Sequence, residues 1–278
     1  MLFSDITDKI HKDNSKVCIS IAKSPGNFGS NFHNLSYKIL NLNWIYIPMK
    51  VENATDLEIV INKIRELGIK GCSVSMPYKE SVIPFIDDLD IFAKRIKAVN
   101  TIKQDKNGIL KGYNTDFFGA KKVLGMSKIK ERKIVIIGAG GVAKAIGFAV
   151  KELGGILNIA NRSLNKAKAL CNKLNATVIP WSKINNLSGY LLINCTSVGM
   201  KNPDEKIVDE KIIKNFDVVM DVVIYPAQTK LLKVAKGIGK KVIPGTLMCV
   251  YQAAEQFKIY TGFDAPKEIV DDTIKAFE

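Results

Sequence analysis

Histidine is scarce in this chain of 278 residues: only His11 and His33 occur. Two imidazoles cannot build a His-rich metal site, and no Ser-His-Asp arrangement stands at a recognisable spacing, so proton transfer must fall to other groups. Cysteine offers no framework either. Cys18, Cys72, Cys171, Cys195 and Cys249 are odd in number, scattered and free of any C-x-x-C, which argues against a disulfide scaffold or a zinc site and for buried thiols. No apolar stretch approaches the roughly 20 residues needed to cross a bilayer, and the opening MLFSDITDKIHKD lacks the apolar core of a secretory leader. The expectation is a cytoplasmic protein with no membrane partner. RNP-like aromatic motifs, zinc-finger spacings and a dense basic tail are missing as well. The 41 Lys+Arg against 27 Asp+Glu, a net +14, are spread along the chain and read as a solvated surface that attracts anionic small molecules, without a nucleic-acid partner. Repeats, low-complexity tracts and long flexible linkers are absent too.

What is present is a strand-helix rhythm, in a length that suits two domains. Strands are expected at 17–22, 44–48 and 72–75, with helices near 34–40 and 56–67; this alternation predicts a parallel-type sheet covered by helices. The rhythm restarts at Lys133 and runs through strands near Ile156, Val178, Leu191, Val218 and Val242, with helices at 163–174 and 229–237. That is the pattern of a doubly wound, Rossmann-type dinucleotide-binding domain. Helical stretches 246–260 and 267–277 carry no sheet of their own and must pack back on what is already built. The reading is therefore α/β with two domains: residues 1–115, joined by 246–278, for the substrate, and 116–245 for the cofactor.

Residues Ile134 to Ala143, IVIIGAGGVA, carry the clearest chemistry. An apolar strand ends at Gly138, which allows a tight turn; Gly140 lets backbone approach a pyrophosphate, and Ala143 lets the following helix pack close to the strand. Free N–H groups at that helix start, around Ala139, Gly141 and Val142, favour a phosphate. The second strand of this domain ends at Asn161-Arg162-Ser163. An acidic residue there would hold a ribose 2′-hydroxyl, whereas Arg162 suits a 2′-phosphate, with Lys166 four residues further on the same helix. The cofactor expected is NADP.

Three polar clusters precede that loop: Gly71-Cys-Ser-Val-Ser-Met-Pro-Tyr-Lys79, Ala98-Val-Asn-Thr101 and Gly112-Tyr-Asn-Thr-Asp116. In order and spacing they resemble the G-x-N-V-T-x-P-x-K, A-V-N-T and G-x-N-T-D motifs of the shikimate dehydrogenase family. The resemblance continues through GAGGVAKA at 138–145, NRS at 161–163, Asn194-Cys-Thr-Ser-Val-Gly-Met200 and Gly245-Thr-Leu-Met-Cys-Val-Tyr-Gln252. It implies NADP-linked hydride transfer between 3-dehydroshikimate and shikimate. It also assigns Lys79 and Asp116 as the catalytic pair at the reacting oxygen, and Asn27, Ser75, Asn100 and Gln252 to the substrate. Thr196, Ser197, Met200, Val223, Gly245 and Met248 join the cofactor set on the same ground. For Met248 plain core packing on an apolar helix face is an equal reading. Pro77 also reads as a helix start that would leave Lys79 on a surface turn, and Asp116 as the N-cap of a helix 117–124. Which of the two moves the proton stays open, because a neighbouring carboxylate raises a lysine pKa while desolvation lowers it.

The pattern also breaks. The family carries S-x-S-P-x-x-H-N near its N-terminus, with both hydroxyls on the substrate carboxylate. Anchored on His33-Asn34, those serine positions hold Asn27 and Gly29, with Ser30 at the proline. Asn27 can donate from its amide, Gly29 offers only backbone, and Ser20, Ser24 or Ser30 stand near enough to compensate. A positive φ at Gly29 would oppose restoring a serine there. Ser73 and Ser75 replace the Asn and Thr of N-V-T, and Ile224 replaces a tyrosine. These departures resemble a shikimate dehydrogenase-like subgroup that keeps Lys and Asp. The expected function is an NADP-dependent oxidoreductase of shikimate or a related cyclic hydroxy acid such as quinate or an aminoshikimate, acting as monomer or homodimer. A non-catalytic NADP-binding regulator is the alternative from another class, and retention of Lys79 with Asp116 argues against it.

Overall fold

The computed structural model describes residue 10 and residues 13–276. Two compact units emerge: the chain up to Thr115 together with Gln252–Ala276, and Asp116–Tyr251. The sequence places the second boundary at 245/246; the division falls at 251/252, inside one continuous helix, Gly245–Thr261.

The first unit contains β1 (Lys16–Ala22), α1 (Phe28–Ile39), β2 (Trp44–Lys50), α2 (Leu57–Glu66), β3 (Gly71–Val74), β4 (Asp88–Leu89), α3 (Ile91–Ile96), β5 (Thr101–Gln104) and β6 (Leu110–Tyr113). Its sheet runs β2-β1-β3-β5-β6-β4. The expected parallel pairing holds for β1 with β2 and β3 and for β4 with β6, whereas β5 pairs antiparallel with both β3 and β6. The cause is a hairpin: Asp105 closes the turn by accepting from the N–H groups of Asn107 and Ile109, and Gly108 takes φ +82°. Helix α1 begins six residues earlier than the 34–40 expected. Phe28 and Phe32, then His33 and Tyr37, recur at four-residue spacing beneath the small polar residues that make this stretch look like a loop. Gly29 therefore lies in a helical turn, not at positive φ.

Period-two alternation gives this sheet two unlike faces. Ile19, Ile21, Ile47, Cys72, Val74 and Ile102 pack with Leu57, Ile61 and Ile64 of α2 into an apolar core. The opposite face presents Cys18, Ser20, Tyr46, Gly71, Ser73 and Thr101, in register across β2, β1, β3 and β5. His33 is sandwiched there between Tyr46, with ring centroids 4.6 Å apart, and Phe257, at 6.0 Å. Burial pushes its pKa down to about 3, so the imidazole stays neutral.

The second unit begins with α4 (Thr115–Gly125), whose first residue still belongs to the first unit. It continues with β7 (Lys133–Ile137), α5 (Gly141–Glu152), β8 (Ile156–Ala160), α6 (Leu164–Leu174), β9 (Thr177–Ile179), β10 (Leu191–Asn194), α7 (Glu210–Ile213), β11 (Val218–Asp221), α8 (Lys230–Gly237) and β12 (Lys241–Pro244). All its strands pair in parallel, in the order β12-β11-β10-β7-β8-β9. The order reverses at β7, so the crevice at the carboxyl ends of β7 and β10 is the ligand position of a doubly wound sheet. Helix α9 (Gly245–Thr261) follows, then α10 (Lys267–Lys275); the expected end of this last helix at Phe277 lies outside the described residues.

A Cβ at Gly71 would overlap the ring of Tyr260 on α9. Gly71→Ala is expected to cost about 1–3 kcal/mol through overpacking, read as a lowered urea midpoint at unchanged m-value.

Candidate active site

Lys79 lies on a run of turns after β3. Pro77 does not start a helix, because Tyr78 donates its backbone N–H to Ser75 O and buries its ring, its hydroxyl reaching Val51 O at 2.6 Å. The Lys79 carbonyl accepts from Val99 N at 2.7 Å, which ties the lysine motif to the Ala98–Thr101 cluster. Asp116 is buried and lies within the first turn of α4, not at its N-cap, because the helix starts at Thr115.

Asn100 organises the first unit's polar centre. Its Oδ1 accepts from Thr115 N at 2.7 Å and from Thr101 Oγ1 at 2.9 Å, while Nδ2 donates to Thr115 Oγ1 at 2.9 Å and to Gln252 Oε1 at 3.4 Å. Gln252 Oε1 also accepts from Thr115 Oγ1 at 3.1 Å. The long contact to Gln252 is the one a ligand hydroxyl can most easily replace. Ser75 is exposed, with its N–H on Ile21 O. Asn27 is exposed at the N-cap of α1, where its side chain makes no cap bond.

Sequence reasoning passed over Gln256, one turn beyond Gln252. It is 2% exposed, and its Nε2 donates to Thr101 Oγ1 at 2.9 Å, Ser73 Oγ at 3.2 Å and Asn100 O at 3.2 Å. The i, i+4 spacing of the two glutamines was the available signal.

In the second unit, Gly138 holds φ +123° against the Cys195 carbonyl, a position closed to any side chain. Gly140 is the N-cap of α5; a Cβ there would meet nothing within 4 Å. Gly141 and Val142 form the first turn, without acidic residues, and Ala143 is fully buried against the sheet. An open pocket of ≈ 350 Å³ is lined by Ala139, Gly140, Asn161, Arg162, Ser163 and Lys166. Asn161 Nδ2 donates to Ser163 O at 2.9 Å, and Ser163 caps α6 by accepting from Lys166 N. The site thus combines uncapped helix N–H groups, empty space above a glycine and two exposed cations, which is the donor set a phosphorylated dinucleotide requires.

Thr196 and Ser197 form the turn after β10; Thr196 donates to Asn194 Oδ1 through both N and Oγ1, at 3.0 and 2.7 Å. Met200 is exposed, Val223 and Met248 are buried, and Gly245 abuts the Val222 carbonyl. Asp221, also unforeseen, joins these turns. Its Oδ1 accepts from Asn194 Nδ2 at 3.0 Å and Val223 N at 3.1 Å, and its Oδ2 from Thr229 Oγ1 at 2.7 Å. Its place at the end of a strand in D-V-V-I-Y-P was the clue.

A doubly wound parallel sheet with a glycine-rich phosphate turn, joined to an α/β unit whose polar centre is built from Asn100, Thr101, Thr115 and Gln252, defines a dinucleotide-dependent oxidoreductase. Residues 19–102 match the shikimate dehydrogenase substrate binding domain, 119–220 match shikimate / quinate 5-dehydrogenase, and 245–275 match the shikimate 5'-dehydrogenase C-terminal domain. A shikimate dehydrogenase-like protein of Haemophilus influenzae is 38% identical over 260 residues, covering 91% of this chain and 92% of its own. Shikimate dehydrogenase (NADP(+)) of Pyrococcus abyssi is 38% identical over 241 residues, covering 86% and 89%. Among solved structures, a shikimate dehydrogenase in complex with NADP+ superposes with a TM-score of 0.84 at 34% identity, over 95% of this chain and 96% of that one. The chain belongs to the shikimate dehydrogenase family. Among the described residues no helix is long and apolar enough to cross a membrane.

Burial pushes the Asp221 carboxyl up to about 6, against the opposing pull of its three donors. Its folded value lies above the unfolded one of about 3.9, so the native state holds a proton between about pH 4 and 6 that the unfolded chain has released. This group's contribution to stability is therefore present below about pH 4 and lost as pH rises through about 6. Asp221→Asn keeps an acceptor for Asn194 and Val223 and is expected to remove that slope, seen as a flatter pH dependence of urea unfolding than wild type. Asp221→Ala, which orphans buried donors, is expected to cost about 2–4 kcal/mol at pH 7.

Proposed function

We propose that the protein is an NADP-dependent oxidoreductase interconverting 3-dehydroshikimate and shikimate. The observation that carries this reading is the phosphate pocket at Gly140 with Arg162 and Lys166 on its wall, in a chain that also keeps Lys79 and Asp116 in their motifs. The second unit takes the dinucleotide: Gly138 to Ala143 hold the pyrophosphate, and Asn161, Arg162, Ser163 and Lys166 hold the 2′-phosphate. The turns at Thr196, Ser197, Met200 and Val223, with Gly245 and Met248, border the rest. When bound, the dinucleotide supplies or accepts the hydride.

The first unit takes the acid. Asn100 and Gln252 bind ring hydroxyls, and Ser75 and Asn27 stand at its open edge. Lys79 and Asp116 handle the reacting oxygen: the ammonium stabilises the charge that develops on a carbonyl being reduced, and the pair delivers the proton. In the reverse direction the same pair removes the hydroxyl proton. The +14 charge supports attraction of both anionic ligands, and the protein acts in the cytoplasm as a monomer or homodimer without nucleic acid. The absence of serines at 27 and 29 favours a second reading within the class, a related acid such as quinate.

Lys79→Ala is expected to lower kcat by about 100-fold or more while leaving NADP affinity unchanged, measured by absorbance at the nicotinamide band and by fluorescence titration. Near-normal turnover removes Lys79 from the mechanism. Arg162→Asp is expected to weaken NADP far more than NAD. An unchanged ratio of dissociation constants in calorimetric titrations places 2′-phosphate recognition elsewhere.

A further inference from the structure

Gln256 and Gln252 stand one turn apart on α9, and the hydrogen bonds between them run through the first unit's polar centre as a single chain. Its start is fixed by a carbonyl. Asn100 O already accepts from Val74 N at 2.8 Å and can only accept, so the Gln256 atom 3.2 Å from it is the amide nitrogen. That Nε2 donates to Thr101 Oγ1 at 2.9 Å, and Thr101 Oγ1 passes its own proton to Asn100 Oδ1 at 2.9 Å. The identity of Oδ1 is fixed as well, because Thr115 N–H can only donate and reaches it at 2.7 Å. Asn100 Nδ2 then donates to Thr115 Oγ1 at 2.9 Å, and Thr115 Oγ1 to Gln252 Oε1 at 3.1 Å.

Every donor along this path points from Gln256 towards Gln252, and aligned bonds polarise one another. The alternative arrangement is close at hand. The Thr101 and Thr115 hydroxyls are 3.2 Å apart, a distance at which either can donate to the other. With Gln256 donating to Thr101, the one proton of that hydroxyl is committed to Asn100. Without Gln256, Thr101 is open to accept from Thr115; Thr115 then gives up Gln252, and the Asn100 amide loses the bonds that hold its plane. Thr101 and Thr115 are fully buried, so solvent does not replace the missing donor. The second proton of Asn100 Nδ2 goes to Gln252 Oε1 across a long 3.4 Å contact, and it is the proton a ligand oxygen can take over.

We infer that Gln256 is a positioning residue for the acid: acting through Thr101, it holds the Asn100 amide so that Nδ2 is presented as a donor to a hydroxyl oxygen of the ligand. This rests on the functional reading above. Asn100 touches the ligand, and Gln256 sets its direction.

The test uses the full-length protein with shikimate and NADP. Gln256→Met keeps an unbranched side chain of similar length and removes the donor. It is expected to raise KM for shikimate about fivefold or more, with kcat within about threefold and KM for NADP unchanged, because the lost interaction serves ground state and transition state alike. Thr101→Val, which cuts the same chain one link later, is expected to give a similar rise, and the double variant little more than either alone. An unchanged shikimate KM in Gln256→Met overturns the proposal, as do an equal rise in KM for NADP and additive effects in the double variant. Thr101→Val carries the same test if Gln256→Met fails to fold, and an unchanged shikimate KM there overturns the proposal too. A wild-type protein that binds shikimate by calorimetry without turning it over defeats the functional reading alone, since the loss of binding in Gln256→Met is still measurable; wild type that neither binds nor turns it over overturns both.

Discussion

The hydrogen bond from Thr115 Oγ1 to Gln252 Oε1, 3.1 Å long and braced by Asn100, closes the first unit on itself. Thr115 is the residue at which the chain leaves that unit and Gln252 the residue at which it returns. Everything between, Asp116 to Tyr251, is an insertion whose ends must be brought to adjacent points. The closure entropy of such a loop grows only slowly with length, so a few well-satisfied polar contacts and the apolar side of α9 suffice to hold it. Those same contacts are made by Asn100 and Gln252, the residues assigned to the substrate. In the functional reading above, binding and chain closure therefore use one set of atoms.

A comparable economy holds in the second unit. The Asp221 carboxylate gathers the ends of β10 and β11 and the N-cap of α8 through three donors. The turns it draws together are those that border the dinucleotide in the reading above. A buried carboxylate with three good partners makes these loops one body, at the cost of a charge that burial disfavours.

The Rossmann half was legible in the sequence because its signals are local: an apolar strand into Gly138, a helical stretch from Ser163, an arginine at 162 where the strand ends. Buried parallel strands read as continuous apolar runs, and β7 and β10 do. The first unit was harder. Helix α1 hides its buried face, Phe32, His33 and Tyr37, among Asn27, Gly29, Ser30, Asn31 and Asn34, whose composition signals a loop. The β5–β6 hairpin was masked because its strands each span four residues and overlap the polar motifs at Ala98–Thr101 and Gly112–Asp116. Gln256 was harder for a different reason: beyond its i, i+4 spacing from Gln252, its partners Ser73, Asn100 and Thr101 all lie more than 150 positions away.

The late return of the chain has a consequence for how the protein is made. During synthesis the inserted unit is complete when Tyr251 has emerged, and its parallel sheet can fold then. The first unit by that time has all its strands and α1, but the polar face of its sheet lacks Gln252, Gln256, Phe257 and Tyr260. His33 has only one of its two stacking rings until α9 arrives. The unit whose strands emerge first is thus the second to mature, and the arrival of α9 converts an exposed, half-polar sheet face into a covered one.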